Sequence, residues 1–418
     1  MTFLFIHYFT LFTGIFVLRP IIDWVSLLSS LTHFSIDTAP IVNETELVLL
    51  LKQCKSLTNL AIVNAREVLI SGGFLSSDID RKDIRESLVH VTSLNLSSNS
   101  PYLSDLLFNR ILECIPNVQN LTLANINILS HSGIYKKYYP ESVKHFNSPS
   151  VLTLRNIVRF VSERRLYLKS LNFYNSNISS VGFQEIGGMD GLDLKSINVG
   201  KCLDIGQEAI LQFCQRQQNL VDINIDYCRK ILMDNPATCL SLFGTWSKSL
   251  RHLSMKGLSA PREMKNCFQQ LDRLKSLTVA ECDIPSTHIL EGLQYNVQHL
   301  SFLNMNSLAI SCPQSLVDLA PSLSSLSHIE LRNEHAGVTD HVLQAIIKSC
   351  KNLSVLILSN CTQLTDCGFI GISSEDTKAM SNTSVNFQRN EDATCNRIFL
   401  GSKAEGNTRW CALCQIFK

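Results

Sequence analysis

At 418 residues the chain has room for two or three ordinary domains or for one long repeat array. Apolar residues make up 45% and charged residues 17%, with a formal net charge of +1, so a sizeable core is available and broad attraction to nucleic acid or anionic lipid is excluded. Basic clusters are not interleaved with aromatic residues, which argues against a groove that stacks single-stranded bases.

The first eighteen residues, MTFLFIHYFTLFTGIFVL, are apolar but lack the basic start and small-residue cleavage site of a secretory signal, and 18 residues is the lower edge of a membrane span. Three readings stand: a signal or anchor, a buried first element, or an atypical start of the chain. Pro20 opens a helix-like segment, IIDWVSLLSS, read with residues 1–30 as the leading part of the first repeat.

From Leu31 a unit of the form LxxLxL, with apolar swaps, recurs along the chain. Its starts are Leu31, Leu57, Val91, Val118, Leu168, Leu194, Leu220, Leu250, Leu274, Val297, Leu326 and Leu353. Most spacings fall between 23 and 34 residues; one, from Val118 to Leu168, is 50, and VKHFNS at 143–148 is a degenerate candidate for a missing unit. The first, fourth and sixth residues of each unit are expected to point into a core from a short strand of a parallel sheet. Each strand is followed by a helix-period stretch. LLFNRILECIPN puts Leu107, Ile111 and Cys114 on one face, GQEAILQFCQRQQN does so with Ile210, Leu211 and Cys214, and HVLQAIIKSCKN with Val342, Ile346, Ile347 and Cys350. Strand plus helix cannot bury both apolar sides alone, so stacking on neighbours completes the core. These repeats resemble leucine-rich repeats. The expected fold class is an α/β leucine-rich-repeat solenoid over 31–372, a horseshoe with strands on its concave face and helices on its convex face.

Within such a solenoid the position eight residues after the first leucine sits in the turn and is usually Asn or Cys. Here it is Asn99, Cys202, Cys228, Cys282 and Cys361, and it drifts to Ser176, Leu258, Met305 and Glu334, where irregular turns are expected. Positions two, four and six places after the first leucine face outward from the sheet. They supply the candidate partner-binding surface: Asn172, Tyr174, Asn198, Asp222, Asn224, Asp226, His252, Lys256, His299, His328, Glu330 and Arg332. Asn172, Asn198 and Asn224 occupy equivalent places, and strands about 4.8 Å apart could join their amides in a ladder.

CKNLSVLILSNCTQLTDCGFIGI, Cys350 to Ile372, is similar to the cysteine-containing class of leucine-rich repeat: cysteine at the turn, then Leu364-Thr365-Asp366-Cys367-Gly368 opening a helix with Thr365 or Asp366 as its cap. Echoes occur at Cys202-Leu203-Asp204-Ile205-Gly206 and Val338-Thr339-Asp340. This class is typical of F-box/leucine-rich-repeat proteins, substrate receptors of cullin-based ubiquitin ligases. The resemblance implies a protein substrate held on the concave face, and a cullin-ligase adaptor as second partner where a longer form carries an F-box. Residues 1–30 contain Trp24 but no Leu-Pro opening, so the adaptor-docking segment is not evident.

The stretch 373–418 is polar and aperiodic and is expected to be disordered. Its Cys411-Ala412-Leu413-Cys414 lacks the helix N-terminus that activates a redox pair and the second pair a zinc site needs. His299 and His328 are expected neighbours, with His252 two repeats away, and a recognition role is favoured over a metal. No serine has a base and orienter that the repeat brings together, and no Gly-rich loop precedes a helix. The chain is therefore expected to be a binding protein without catalytic residues, metal or cofactor. The fifteen scattered cysteines, many inside apolar patterns, point to a reducing compartment, the cytoplasm or the nucleus. A ligase-independent scaffold or inhibitor, which needs no adaptor-docking segment, is one alternative; a membrane-anchored or secreted recognition protein, with glycans at Asn95 or Asn120, is the other, and residues 1–18 motivate it.

Overall fold

Each repeat is organised by its buried aliphatic triplet. Leu168, Leu171 and Phe173 are at most 2% exposed, as are Leu250, Leu253 and Met255, while the residues between them face away from the core. Burying one such side chain contributes roughly 1.5–3 kcal/mol. The computed structural model describes residues 8–11, 29–37, 43–129, 147–231, 236–259, 265–294, 297–334, 336–365, 367–368 and 397–400. The chain divides into two compact units, Met1–Gln217 and Gln218–Lys418.

In the first unit β1 (Tyr8–Leu11), β2 (His33–Asp37), β3 (Asn59–Val63), β4 (Ser93–Asn95) and β5 (Asn120–Thr122) run parallel in chain order. Ile128–Leu129 (β6) and Leu152–Thr153 (β7) form a separate parallel pair. β5 then pairs directly with β8 (Ser170–Asn172), and β8 with β9 (Ser196–Asn198). No strand therefore stands between β5 and β8 in the main sheet, and the first four residues of VKHFNS lie outside the described ones. The helices are α1 (Glu44–Leu51), α2 (Arg66–Leu69), α3 (Asp78–Ser87), α4 (Asp105–Cys114), α5 (Leu154–Arg164), α6 (Ser180–Gly187) and α7 (Gln207–Arg216). Short oxygen-bearing side chains start most of them: Asn43, Ser77, Ser104, Thr153 and Ser179 each accept the amide three residues on. The Phe183 and Phe213 rings stack 4.1 Å apart between α6 and α7.

In the second unit β10 (Asp222–Asn224), β11 (His252–Ser254), β12 (Ser276–Thr278), β13 (Phe302–Asn304), β14 (His328–Arg332) and β15 (Val355–Ser359) are parallel neighbours in that order. Their helices are α8 (Pro236–Trp246), α9 (Lys265–Phe268), α10 (Ser286–Leu293), α11 (Pro313–Leu319) and α12 (Asp340–Ser349). Arg397–Leu400 (β16) pairs antiparallel with β15, so part of the stretch expected to be disordered forms a strand. Edge pairing supplies the backbone partners that its own sequence gives no sign of.

These repeats make both units a leucine-rich-repeat solenoid fold: parallel strands on one side, helices on the other. The expected helix faces hold for Leu107, Ile111, Cys114, Val342 and Ile346, whereas Ile347 and Leu211 are half-buried and Leu343 and Phe213 take the core positions. The helix expected over IIDWVSLLSS, and Cys411 and Cys414, lie outside the described residues. No helix among those described is long and apolar enough to cross a membrane.

One register differs from the sequence reading. The tenth triplet is Leu300, Leu303 and Met305, not Val297, Leu300 and Phe302: the first three are at most 1% exposed, and Phe302 pairs with His328 on the open face. Starts then run Leu274, Leu300, Leu326, Leu353, at even spacing. An independent marker agrees. Seven residues after each start from Leu57 onward the backbone is left-handed, at Asn64, Ser98, Asn125, Asn175, Lys201, Tyr227, Gly257, Glu281, Ser307, Asn333 and Asn360. Ser307 is seven residues from Leu300 and ten from Val297.

Candidate functional site

The turn that follows each strand is built first, because it holds the sheet face in place. Asn99 donates to the carbonyls of Ile62 (2.6 Å) and Leu96 (2.8 Å) and accepts from the Ala65 amide (2.9 Å). Thiols do the same across one repeat: Cys202 donates to Phe173 O (2.9 Å), Cys282 to Met255 O (2.9 Å) and Cys361 to Leu331 O (3.1 Å). Cys228 is fully buried at the equivalent place. Ser176 and Glu334, where irregular turns were expected, serve the ladder too. Ser176 donates to Leu123 O and accepts from the Ile126 amide, and the Glu334 carboxylate accepts the amides of Leu308 (2.6 Å) and Ile310 (2.9 Å). Any side chain that reaches the orphaned backbone groups will do. Leu258 has no polar atom to offer, but its turn keeps the shared backbone form through Gly257.

The open face of the second unit's sheet carries two rows of side chains that run through the paired strands. Along the first, Asp222 stands beside His252, then come Ser276, Phe302, His328 and Val355. Along the second are Asn224, Ser254, Thr278, Asn304, Glu330 and Ile357 in the same registers. Glu330 is the centre of its half. Its Oε1 faces His328 Nε2 at 3.1 Å, its Oε2 accepts from Asn304 and Asn306, both at 3.1 Å, and Arg332 Nε lies 3.8 Å away. The His328 ring lies against Phe302, centroids 4.6 Å apart. At the other end Asp226, buried, accepts from Ser254 Oγ (2.7 Å), the Lys256 amide (2.7 Å) and Asn224 Nδ2 (3.1 Å).

This sorts the residues singled out from the sequence. Asp222, His252 and Arg332 are exposed on the face, Lys256, Asn224, His328 and Glu330 are half-buried, and Asp226 is buried and saturated. Asp222 is exposed by surface area, yet the strands around it take enough water from the carboxyl to push its pKa up, against the pull of His252. His299 is not on the face: it ends a short 3-10 turn, Val297–His299, because the register starts at Leu300. His252 and His328 are three strand steps apart, and the three histidines do not converge. Among the described residues no group of three or more His, Cys, Asp or Glu could hold a metal. Phe302, Asn304 and Asn306 were missed by the sequence reading; holding the repeat spacing constant from Leu274 would have found them.

On the first unit's face Asn172 and Asn198 occupy facing register positions, and the Tyr174 ring holds Lys201 Nζ at 5.5 Å from its centroid. The expected amide ladder does not form through the carbonyl oxygens. Asn172 Oδ1 accepts the Tyr174 amide (2.9 Å), Asn198 Oδ1 that of Gly200 (3.0 Å) and, in the second unit, Asn224 Oδ1 that of Asp226 (3.0 Å). Each asparagine ends its own strand, a local bond that outcompetes a cross-strand one. Asn95 does likewise with the Ser97 amide.

No family model matches the chain, and no curated protein matches it. Among solved structures it is similar to a chain of the Rad7 and Elc1 complex in yeast, at 15% identity and a TM-score of 0.47, covering 85% of each chain. It is similar to the leucine-rich repeat-containing protein LegL7 from Legionella pneumophila, at 17% identity and a TM-score of 0.41, covering 85% of this chain and 99% of that one. A chain of the TLR13–ssRNA13 complex shows 16% identity and a TM-score of 0.44, covering 84% of this chain and 49% of that one.

Proposed function

We propose that the chain is a protein-binding module that grips a partner on its open sheet face, and that it serves as the target-recognition subunit of a cullin-type ubiquitin ligase. The observation that carries the binding role is the exposed trio Asp222, His252 and Arg332, set on a sheet whose neighbouring polar groups are already tied to one another. A partner meets a rigid surface, so little side-chain freedom is lost on binding. Arginine and aromatic side chains, here Arg332 and Phe302, are the types that dominate interface energetics. The ligase role is supported by the cysteine-class turn, whose thiols bond the preceding repeat as hydrogen donors. A thiol in that role must stay reduced, which supports the cytoplasm or the nucleus as the site of action. On this reading the chain works by binding, without a catalytic group of its own.

Affinity capture of the full chain from cells held under proteasome inhibition tests both parts. A cullin and its adaptor are expected to co-purify, and the double variant His252→Glu/Arg332→Glu is expected to keep them while losing the target. Capture without cullin or adaptor overturns the ligase role and leaves a ligase-independent scaffold or inhibitor; unchanged target recovery by the double variant overturns the face.

A further inference from the structure

We propose that the strand-start rim of the second unit, where Lys248, Arg251, Arg273 and Lys275 gather, docks an acidic segment of a protein partner. The site goes beyond the sheet face and does not depend on the ligase reading.

The rim is ordered by its own backbone. Arg251 and Lys275 each stand one residue before a strand, in neighbouring repeats, and the Lys275 amide donates to Arg251 O at 2.7 Å. Arg251 Nη1 donates to Arg273 O (3.1 Å), and Arg273 Nη1 donates to Lys248 O (3.2 Å). Each guanidinium is thus tied to a neighbouring repeat by one of its five N–H groups, Arg251 to the next and Arg273 to the preceding one, which leaves N–H groups on both to receive carboxylates. Fixing long side chains beforehand removes much of the entropy a partner would otherwise have to overcome.

The charge is largely left open among the described residues. Among the described residues no carboxylate lies within ion-pair distance of Lys248, Arg251 or Lys275, and Arg273 Nε has only Asp272 at 4.0 Å. With a net charge of +1 over the whole chain, this is local concentration and not general basicity. The equivalents of Arg251 and Lys275 in the flanking repeats are Val221 and Ser301, so the patch has definite limits. A hollow of about 330 Å³ opens beside it, lined by Ser247, Lys248, Gln270, Asp272 and Arg273, with room for an incoming side chain. His299, exposed at the place one repeat on from Arg273, extends the rim.

A peptide fits this patch better than a nucleic acid does. Two repeats set about 5 Å apart make a short cationic track, whereas duplex recognition draws on many phosphates over a wide surface. Trp246, the aromatic residue nearest in sequence, is buried and offers no stacking plane.

Fluorescence anisotropy of a labelled ten-glutamate peptide against the full chain, in about 50 mM salt, tests the proposal. Arg273→Gln/Lys275→Gln is expected to weaken binding about tenfold or more. Lys82→Gln/Lys351→Gln, an equal charge change at exposed lysines elsewhere, is expected to leave it within about twofold, and Asp272→Asn to tighten it. Equal losses in the two double variants, no binding of the peptide, or tighter patch-dependent binding of a duplex DNA oligomer would each overturn it. The Arg273/Lys275 variant leaves the sheet face untouched, so its failure is distinguishable from failure of the face.

Discussion

The Tyr227 ring lies over Gly257, so close that a β-carbon built on the glycine would meet the ring at 2.4 Å. The tyrosine hydroxyl continues past it to donate to Glu281 Oε2 at 2.9 Å. Gly257 also sits at φ 62°, where its ten counterparts along the chain carry side chains. Glycine is required here by the ring and not by the backbone alone. Gly257→Ala is expected to destabilise the fold by about 1–3 kcal/mol, through the clash and the lost tyrosine bond. Tyr227→Ala in the same chain should recover the steric part, as read by urea denaturation.

Glu334 invites a test of the turn ladder. Truncation to alanine strips acceptors from the Leu308 and Ile310 amides, and about 1–3 kcal/mol of stability should be lost for each amide left dry. Glu334→Gln keeps one good acceptor and should fall between alanine and wild type.

A rank order follows for the ladder members. Asn99 makes three strong bonds to backbone groups, while Cys282 offers a thiol to Met255 O and, at 3.5 Å, to Ala280 O. Asn99→Ala is expected to be the more damaging change by roughly 1–2 kcal/mol, because thiols are weak donors. Equal losses in thermal melts would show that volume, not bonding, governs these sites.

Thiol reactivity should separate the cysteines. Burial pushes Cys202 up to about 12 and Cys282 and Cys350 up to about 11. A hydrogen bond from the Ser315 hydroxyl holds half-exposed Cys312 below the ordinary thiol value. Iodoacetamide at neutral pH is therefore expected to alkylate Cys312 well before those three, and Ser315→Ala to slow it. Peptide mass mapping over time gives the order.

Asp222 supplies a pH dependence with an unusual sign for a carboxylate. Its folded pKa is raised, first by the partial loss of water around the carboxyl, so the folded state holds the proton more tightly than the unfolded chain. The contribution favours folding at low pH and is lost as pH rises through the folded pKa. Relative to Asp222→Asn, the wild-type chain should gain stability between pH 7 and pH 4. His252→Ala should enlarge the gain, since it removes the opposing pull.

Much of the fold was legible in the sequence because the buried triplet repeats with a fixed internal pattern: Leu168, Leu171 and Phe173 could be placed without coordinates. The slip at Val297 shows the limit. Val297, Leu300 and Phe302 satisfy the same pattern as Leu300, Leu303 and Met305, and only the even spacing of repeats decides between them. The left-handed turn was invisible because Asn, Ser, Lys, Tyr and Glu all occupy it; the backbone path sets that conformation and the side chains follow. Glu334 looked like a break in the ladder since its length, not its type, lets it reach two amides. Asn172 and Asn198 hold facing register positions, yet nothing in their spacing said that each would turn back on its own strand. The strand at Arg397–Leu400 depends on a partner far away in sequence, beyond the reach of any local pattern.

The direct pairing of β5 with β8 has a consequence for how such a molecule tolerates change. The segment between them, with α5 and the β6–β7 pair, leaves and rejoins the sheet at adjacent strands, so its length is not constrained by sheet geometry. Extra sequence can accumulate there, as a side branch from a ladder whose rungs keep their order. A foreign peptide or small domain grafted into that excursion should be carried without shifting the register of the strands on either side.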